Sequence, residues 1–156
     1  MLARDIMTKE VITVKPDTTV EEVIKILAEN KISGVPVVND HGGVIGIVSE
    51  ADLLVRDAKL RVPSFINVLG SLIFLEDPRQ LDEDLRKMVA VKVRELMTED
   101  VITVEEDTPV EEVASLMLKK KINRVPVVSH GKLVGIISRH DIVRALAAKK
   151  EKVDDF

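Results

Sequence analysis

The chain has 156 residues, of which 46% are hydrophobic and 32% charged, with a formal net charge of −4. This composition is typical of a globular protein of one domain or two small ones, and it lacks the basic field that nucleic acid or an anionic membrane requires. The absence of cysteine excludes disulfides, thiol catalysis and zinc–thiolate sites.

The remaining composition predicts neither a metal site nor a membrane span. The three histidines, His41, His130 and His140, do not pair at a helical metal-ligand spacing. No apolar run is long enough to cross a bilayer, and the first residues lack the apolar core of a signal peptide. We therefore expect a cytoplasmic protein. Plentiful Lys and Glu without Trp or Tyr indicate a thermophile source.

One sequence unit occurs twice in the chain. Met-Thr at 7–8 recurs at 97–98, and Val-Ile-Thr-Val at 11–14 recurs at 101–104, both with a shift of 90 residues. After the loss of one residue, Gly-Ile-Val-Ser before Asp52 recurs as Gly-Ile-Ile-Ser before Asp141 at a shift of 89. Because a repeat this short buries little surface alone, we expect the two copies to pack against each other.

Each copy begins with a strand and a helix. Residues 11–14 are β-branched, which predicts a short strand. Thr18 then reads as the N-cap of a helix, with Glu21 completing a capping box. In the second copy Thr108 has the same role and Pro109 occupies the first helical position.

A hairpin and a second helix follow. The apolar runs 35–38 and 44–48 are separated by polar and glycine residues at 39–43, which predicts a hairpin. Ser49 and Ser138 then cap a second helix in each copy. The order of elements is therefore strand, helix, strand, strand, helix, twice.

The segment between the copies, 56–93, has no counterpart in either repeat. A helix is predicted to start at Asp77-Pro78. The apolar stretch 62–75 is expected to combine two roles, core packing against this helix and a dimerisation patch.

The doubled motifs resemble those of the CBS domain family. They are Met-Thr, the Val-Ile-Thr-Val strand, Lys-Ile followed by Val-Pro-Val-Val, and Gly-Ile-Val/Ile-Ser-x-x-Asp, and they cover residues 5–56 and 95–148. The resemblance implies an α/β (α+β) fold of two β-α-β-β-α repeats packed sheet to sheet with pseudo-two-fold symmetry. It places the first domain at 1–60, a largely helical insertion at 61–92 and the second domain at 93–156.

The same resemblance implies a regulatory function. CBS domains occur in tandem pairs, called Bateman modules, which commonly bind AMP, ADP, ATP or S-adenosylmethionine in the cleft between the two domains. Many form homodimers, so we expect a homodimer, and an unidentified protein that the module regulates. The alternative is an oligomerisation or protein-interaction module that needs no ligand. Without an activated nucleophile, a histidine cluster or a marked carboxylate pair, the sequence predicts no enzyme.

The resemblance implies that Asp52 and Asp141 bind the ribose, and that Ser49 and Ser138 reach a phosphate or ribose oxygen. A carboxylate can accept hydrogen bonds from both ribose hydroxyls, and a helix start favours anions. The alternative is purely structural, because Ser-x-x-Asp is also a capping box.

The adenine is expected between two strands of a copy. One wall is Ile12 with Thr13, or Ile102 with Thr103, and the other is the strand preceding Pro36 or Pro126. The alternative is that these are ordinary core strands.

The copies differ where a phosphate would lie. The second copy has Arg124, Arg139 and His140, and the corresponding residues of the first are Gly34, Glu50 and Ala51. Because the guanidinium fork suits phosphate, we predict the better nucleotide site at Asp141, and an empty site or a less charged ligand at Asp52. Arg56 and Arg144, further along the second helices, could assist. The alternative is that these arginines are solvated surface charges.

Overall fold

The computed structural model describes residues 1–57 and 91–154, and the predicted helix from Asp77-Pro78 and the apolar stretch 62–75 lie outside them. The described elements, in chain order, are α1 (Ala3–Ile6), α2 (Val20–Asn30), β1 (Gly34–Val38), β2 (Val44–Ser49), α3 (Glu50–Asp57), a 3₁₀ turn (Val93–Glu95), β3 (Val104–Glu105), α4 (Val110–Lys120), β4 (Arg124–Ser129), β5 (Lys132–Ser138) and α5 (Arg139–Asp154). The predicted mixed α/β class is confirmed.

The chain forms two compact units, and each is built from separate stretches of sequence. The repeat-one unit contains the described residues 12–40, 45–57 and 91–101. The repeat-two unit contains residues 1–11, 41–44 and 102–154. Each unit therefore includes the segment that precedes the other copy of the repeat. We call residues 1–8 and 91–98 the leader segments.

The predicted first strand is wrong over most of its length. In the first copy only Val14 is paired, in a parallel bridge to Val37. The next residue but one is Pro16, which has no N–H to extend the ladder. Glu106 takes that position in the second copy, where Val104–Glu105 forms a two-residue strand.

The first helix of each copy begins one residue later than predicted. Thr19, not Thr18, is the N-cap of α2: its Oγ1 accepts from the Glu22 N–H at 3.3 Å, and its own N–H donates to Glu22 Oε2 at 3.1 Å. Pro109, not Thr108, is the N-cap residue of α4. Consecutive threonines and glutamates make two capping registers chemically equivalent in the first copy, so the sequence did not distinguish them.

The hairpins and second helices are confirmed. In the repeat-two unit β3 lies parallel to β4, and β4 antiparallel to β5. The turn between β4 and β5 uses His130 at φ 50° and Gly131 at φ 76°, as a two-residue hairpin requires. In the repeat-one unit β1 pairs with β2.

Each unit has its own aliphatic core. In the repeat-one unit, the buried core comprises Val14, Val20, Val23, Leu27, Val35, Val37, Val48, Leu53 and Val93. In the repeat-two unit it comprises Ala3, Val104, Val110, Val113, Met117, Val125, Val127, Ile137, Ile142 and Ala145. Val93 and Ala3 belong to the leader segments, so each leader segment contributes to the core of the unit that holds it.

Each leader segment is held by backbone hydrogen bonds and by one methionine. Thr8 exchanges two backbone bonds with Ile136 in the repeat-two unit, and Thr98 exchanges two with Ile47 in the repeat-one unit. The methionine before each threonine lies directly over a strand glycine. These contacts fix each threonine beside the strand that leads to the second helix.

Candidate functional site

The carboxylate of Asp52 is held at the start of α3 in the repeat-one unit. Its Oδ2 accepts from the Ser49 N–H at 2.9 Å and from Ser49 Oγ at 3.2 Å. Its Oδ1 accepts from the Thr98 hydroxyl at 3.0 Å. The aspartate is half-buried, and a leader-segment residue therefore completes its hydrogen bonding.

Asp141 occupies the corresponding position in the repeat-two unit but has a different partner. Its Oδ2 accepts from the Ser138 N–H at 2.8 Å and from Ser138 Oγ at 3.0 Å. The Ser138 Oγ also accepts from the Asp141 N–H at 3.3 Å, which completes a capping box. Its Oδ1 accepts from the Arg144 guanidinium at 2.7 Å. Asp141 is only 7% exposed, so its charge is desolvated and compensated by an ion pair.

Strand register brings several predicted residues to one edge of the three-stranded sheet. Arg124 lies opposite Ser138 at the start of β4. Because β3 runs parallel to β4, Ile102 and Thr103, which directly precede Val104, lie toward the same edge. Arg139 begins the helix there, and its N–H donates to the Asn123 carbonyl at 3.0 Å. A carboxylate and arginines from separate elements therefore converge at this edge.

The other predicted residues differ in accessibility. Arg139, His140 and Thr103 are exposed, Ile102 and Arg124 are half-buried, and Pro126 is buried. In the repeat-one unit, Ile12 is 38% exposed, Thr13 and Ser49 are half-buried and Pro36 is buried. The buried prolines belong to strands β1 and β4. Only the neighbouring exposed residues and backbone of these strands offer a surface to a ligand.

A shallow groove of about 360 Å³ lies in the repeat-one unit, beside α2. Its lining is mixed and includes Thr13 among the predicted residues, with Lys15, Glu22, Lys25 and Ile26 around it. Asp52 and Ser49 are not among its lining residues. The groove is therefore separate from the capped carboxylate of this unit.

Two features of the site were not predicted. The sequence singled out Met-Thr at 97–98 as a repeat marker but did not assign Thr98 to the site. The signal was its recurrence in both copies, without anything to indicate a contact with Asp52. The ion pair of Arg144 with Asp141 was also unexpected, because the corresponding residue of the first copy is Val55.

Within residues 1–57 and 91–154, no cluster of three or more His, Cys, Asp or Glu side chains is arranged to hold a metal ion. In the same part of the chain, none of the helices combines the length and the apolar character that crossing a membrane demands.

Comparison with known proteins agrees with these features. The family model described as CBS domain matches residues 3–59 and 93–148. Protein MJ1426 of Methanocaldococcus jannaschii is 37% identical over 157 residues, covering 94% of this chain and 91% of that protein. CBSX1, a chloroplastic CBS domain-containing protein of Arabidopsis thaliana, is 37% identical and is matched over 96% of this chain and 66% of its own length.

Solved structures of similar proteins extend the likeness to the fold. The structure of CBSX2 in complex with AMP has a TM-score of 0.73 and 32% identity, and 96% of this chain and 98% of that chain are covered. The CBS domain pair of protein MJ0100, in complex with 5′-methylthioadenosine and S-adenosyl-L-methionine, has a TM-score of 0.70 and 29% identity, with the same coverage. With both repeats matched by the family model, the chain belongs to the CBS domain family and carries the domain twice.

Proposed function

We propose that this protein is a regulatory module that senses an adenosyl ligand, namely AMP, ADP, ATP or S-adenosylmethionine. Two similar CBS pairs have been solved with AMP and with S-adenosyl-L-methionine, which supports ligand binding in this chain as well. The proposed role is regulatory rather than catalytic. Ligand would act by binding one arrangement of the protein more tightly than another. The cytoplasmic location and the thermophile source stay predictions.

The carrying observation is the arrangement around Asp141. The backbone N–H of Ser138 donates to Asp141 Oδ2 at 2.8 Å and so orients the carboxylate. Arg124 lies opposite Ser138 on the neighbouring strand. A ribose needs an acceptor for its hydroxyls, and a phosphate needs cationic donors. The edge of the sheet supplies both, so it complements a ribose phosphate.

We further propose that the two carboxylates have different ligands. Arg124 and Arg139 give the Asp141 site positive charge and His140 adds a ring N–H donor, whereas the corresponding residues near Asp52 are Gly34, Glu50 and Ala51. The Asp52 site then suits a neutral or less charged adenosyl group. In this proposal Ile12 and Thr13, or Ile102 and Thr103, contact the base, with the strand of Pro36 or Pro126 behind it.

A second candidate function is assembly without a ligand. Val143 and Leu146 on α5 are 62% and 50% exposed and lie three residues apart, on one face of the helix. Exposed apolar side chains in one stripe favour contact with a partner, here a second copy of the chain. Under this alternative, Val143→Glu would abolish the homodimer while ligands would have no effect on its stability.

The experiment is a thermal-shift and calorimetric titration with AMP, ADP, ATP and S-adenosylmethionine. A ligand that binds only the native protein stabilises it by about 2.7 kcal/mol at a hundredfold excess over Kd. We expect Asp141→Asn to abolish binding of the phosphorylated ligands and Asp52→Asn to leave their binding intact. Asp100→Asn, a change at an exposed carboxylate, is the matched control. If none of the four ligands shifts the melting of the wild type, the proposal is wrong.

A further inference from the structure

Asp52 and Asp141, the two carboxylates proposed to bind ribose, differ in the charge of the group that donates a hydrogen bond to their Oδ1. In Asp52 the oxygen that Ser49 does not contact, Oδ1, accepts a hydrogen bond from the neutral hydroxyl of Thr98 at 3.0 Å. In Asp141 the same oxygen accepts from the Arg144 guanidinium at 2.7 Å. Arg144 stands one helical turn after Asp141 on α5, and the corresponding residue of the first copy is Val55. Only the repeat-two sequence therefore offers its carboxylate an internal cation at this position.

The ion pair is asymmetric in its burial. The Asp141 side chain is 8% exposed and the Arg144 side chain 66% exposed. The carboxylate is therefore the partner that depends on the contact, because a desolvated charge without a counter-ion is costly. The arginine loses little packing when its long side chain turns toward solvent. Arg144 can consequently leave, provided that another donor satisfies Asp141.

Ribose hydroxyls are weaker substitutes than a guanidinium. A ribose hydroxyl also makes a charge-assisted hydrogen bond with a carboxylate, but it lacks the positive charge that a guanidinium brings to the pair. An uncharged nucleoside at Asp141 would have to displace Arg144, and it has no anionic group that the displaced guanidinium could bind. A nucleotide brings a phosphate, and guanidinium groups bind phosphate through paired donors. The displaced arginine would then exchange one anionic partner for another.

We propose that Arg144 is a gate that makes binding at Asp141 depend on the ligand's phosphate. In the free protein it occupies the oxygen that the ribose needs, and it transfers to the phosphate when a nucleotide binds. The inference rests on the proposed function and adds a residue that selects among its ligands. It also separates the two sites by mechanism, since Thr98 at the Asp52 site poses no ionic competition.

The test compares adenosine with AMP by isothermal titration calorimetry. All variants carry Asp52→Asn, so that the repeat-one site does not contribute. Arg144→Val installs the residue of the first copy and should tighten adenosine and weaken AMP, narrowing the preference for AMP by roughly tenfold. Arg144→Lys retains the positive charge but lacks the paired N–H donors of the guanidinium, and its preference for AMP over adenosine should lie between those of the parent and Arg144→Val. Lys150→Val, an exposed change on the same helix, removes the same charge and should leave the preference unchanged.

The outcomes separate the gate from the proposed function. If AMP binds and Arg144→Val leaves the preference unchanged, or fails to tighten adenosine, the gate is overturned while the proposed function stands. If neither adenosine nor AMP binds any variant, the gate is overturned, and the proposed function is decided separately by the titration of the wild type with all four ligands. Far-UV circular dichroism verifies that each variant is folded.

Discussion

Gly135 and Gly46 each contact a methionine of one leader segment, so substitutions at these glycines test which leader segment packs in which unit. A Cβ added to Gly135 would collide with Met7 Sδ and lie 2.7 Å from Met7 Cγ. A Cβ on Gly46 would lie 2.5 Å from Met97 Sδ and 2.9 Å from its Cγ. Gly135→Ala and Gly46→Ala are therefore expected to destabilise the protein, each through a methionine that comes from the leader segment before the other repeat.

The magnitude follows from the contact distances. Overpacking a buried site costs about 1–3 kcal/mol, and alanine in a strand recovers about 0.5–1 kcal/mol relative to glycine. Met7→Ala removes the two atoms that collide with the new methyl group of Gly135→Ala. Only the Cβ of residue 7 then remains close, at 3.0 Å from the added atom, so the glycine substitution should cost much less and the two changes should couple by about 1–3 kcal/mol.

The assay is urea unfolding followed by far-UV circular dichroism, since the chain has no Trp or Tyr. Crossed pairs are the matched controls: Gly135→Ala should couple with Met7→Ala and not with Met97→Ala, and Gly46→Ala should do the reverse. Equal coupling in the matched and crossed pairs, or none in either, would refute the assignment of the leader segments to their units.

Three further changes test single contacts. Thr98→Val removes the hydroxyl bound to Asp52 and should lower the free energy of unfolding by about 1 kcal/mol, measured in urea. The pKa of Glu111 is lowered from 4.5 by a hydrogen bond from its own backbone N–H, and further by Lys149, whose Nζ lies 3.0 Å from Glu111 Oε1. The stability that this shift contributes is fully present above pH 4.5 and is lost as the pH falls through the lowered pKa. Lys149→Met should therefore destabilise the protein at neutral pH and have no effect in strong acid. Lys121 has a left-handed backbone at φ 53° after α4, so Lys121→Gly should raise the stability by about 0.5 kcal/mol.

Neighbouring positions supply the controls for these three changes. Glu99→Gln, at the exposed residue that directly follows the second leader segment, should leave the stability unchanged where Thr98→Val lowers it. Lys150→Met removes the charge next to Lys149 and should show no pH-dependent difference from the wild type. Lys120→Gly replaces the last residue of α4 and should destabilise by up to about 1 kcal/mol. If Lys120→Gly and Lys121→Gly have the same sign, backbone strain at Lys121 is not the cause.

The repeat made most of the fold predictable, because local chemistry determines those elements. Ser49 and Ser138 combine a hydroxyl with an aspartate three residues on, and both helices begin directly after them. The first strand was less predictable. Residues 11–14 have strand-forming side chains, but pairing also requires a neighbouring strand, and only Val14 pairs, with Val37; Pro16 then has no N–H to extend the ladder beyond it.

The site was predictable only where its residues are close in sequence. Ser138 and Asp141 share one helix turn, and their contact follows from the spacing alone. Thr98 reaches Asp52 from 46 residues away, across a segment without repeat symmetry. The Arg144 contact is local, but at its position an arginine that faces solvent has the same sequence pattern as one that binds a buried carboxylate.

The exchange of leader segments has a cause within the repeat itself. Met7-Thr8 and Met97-Thr98 are identical pairs, and Gly46 and Gly135 both leave room for a methionine. The Met-Thr pairs and the glycines therefore do not by themselves determine which leader segment fits which repeat, although the segments differ elsewhere, with Ala3 in one core and Val93 in the other. The structure places Met7 on Gly135 and Met97 on Gly46. It follows that a change in one leader segment alters the unit that contains the other repeat: removal of residues 1–8 should disturb the Asp141 unit, although those residues precede the Asp52 repeat in the sequence.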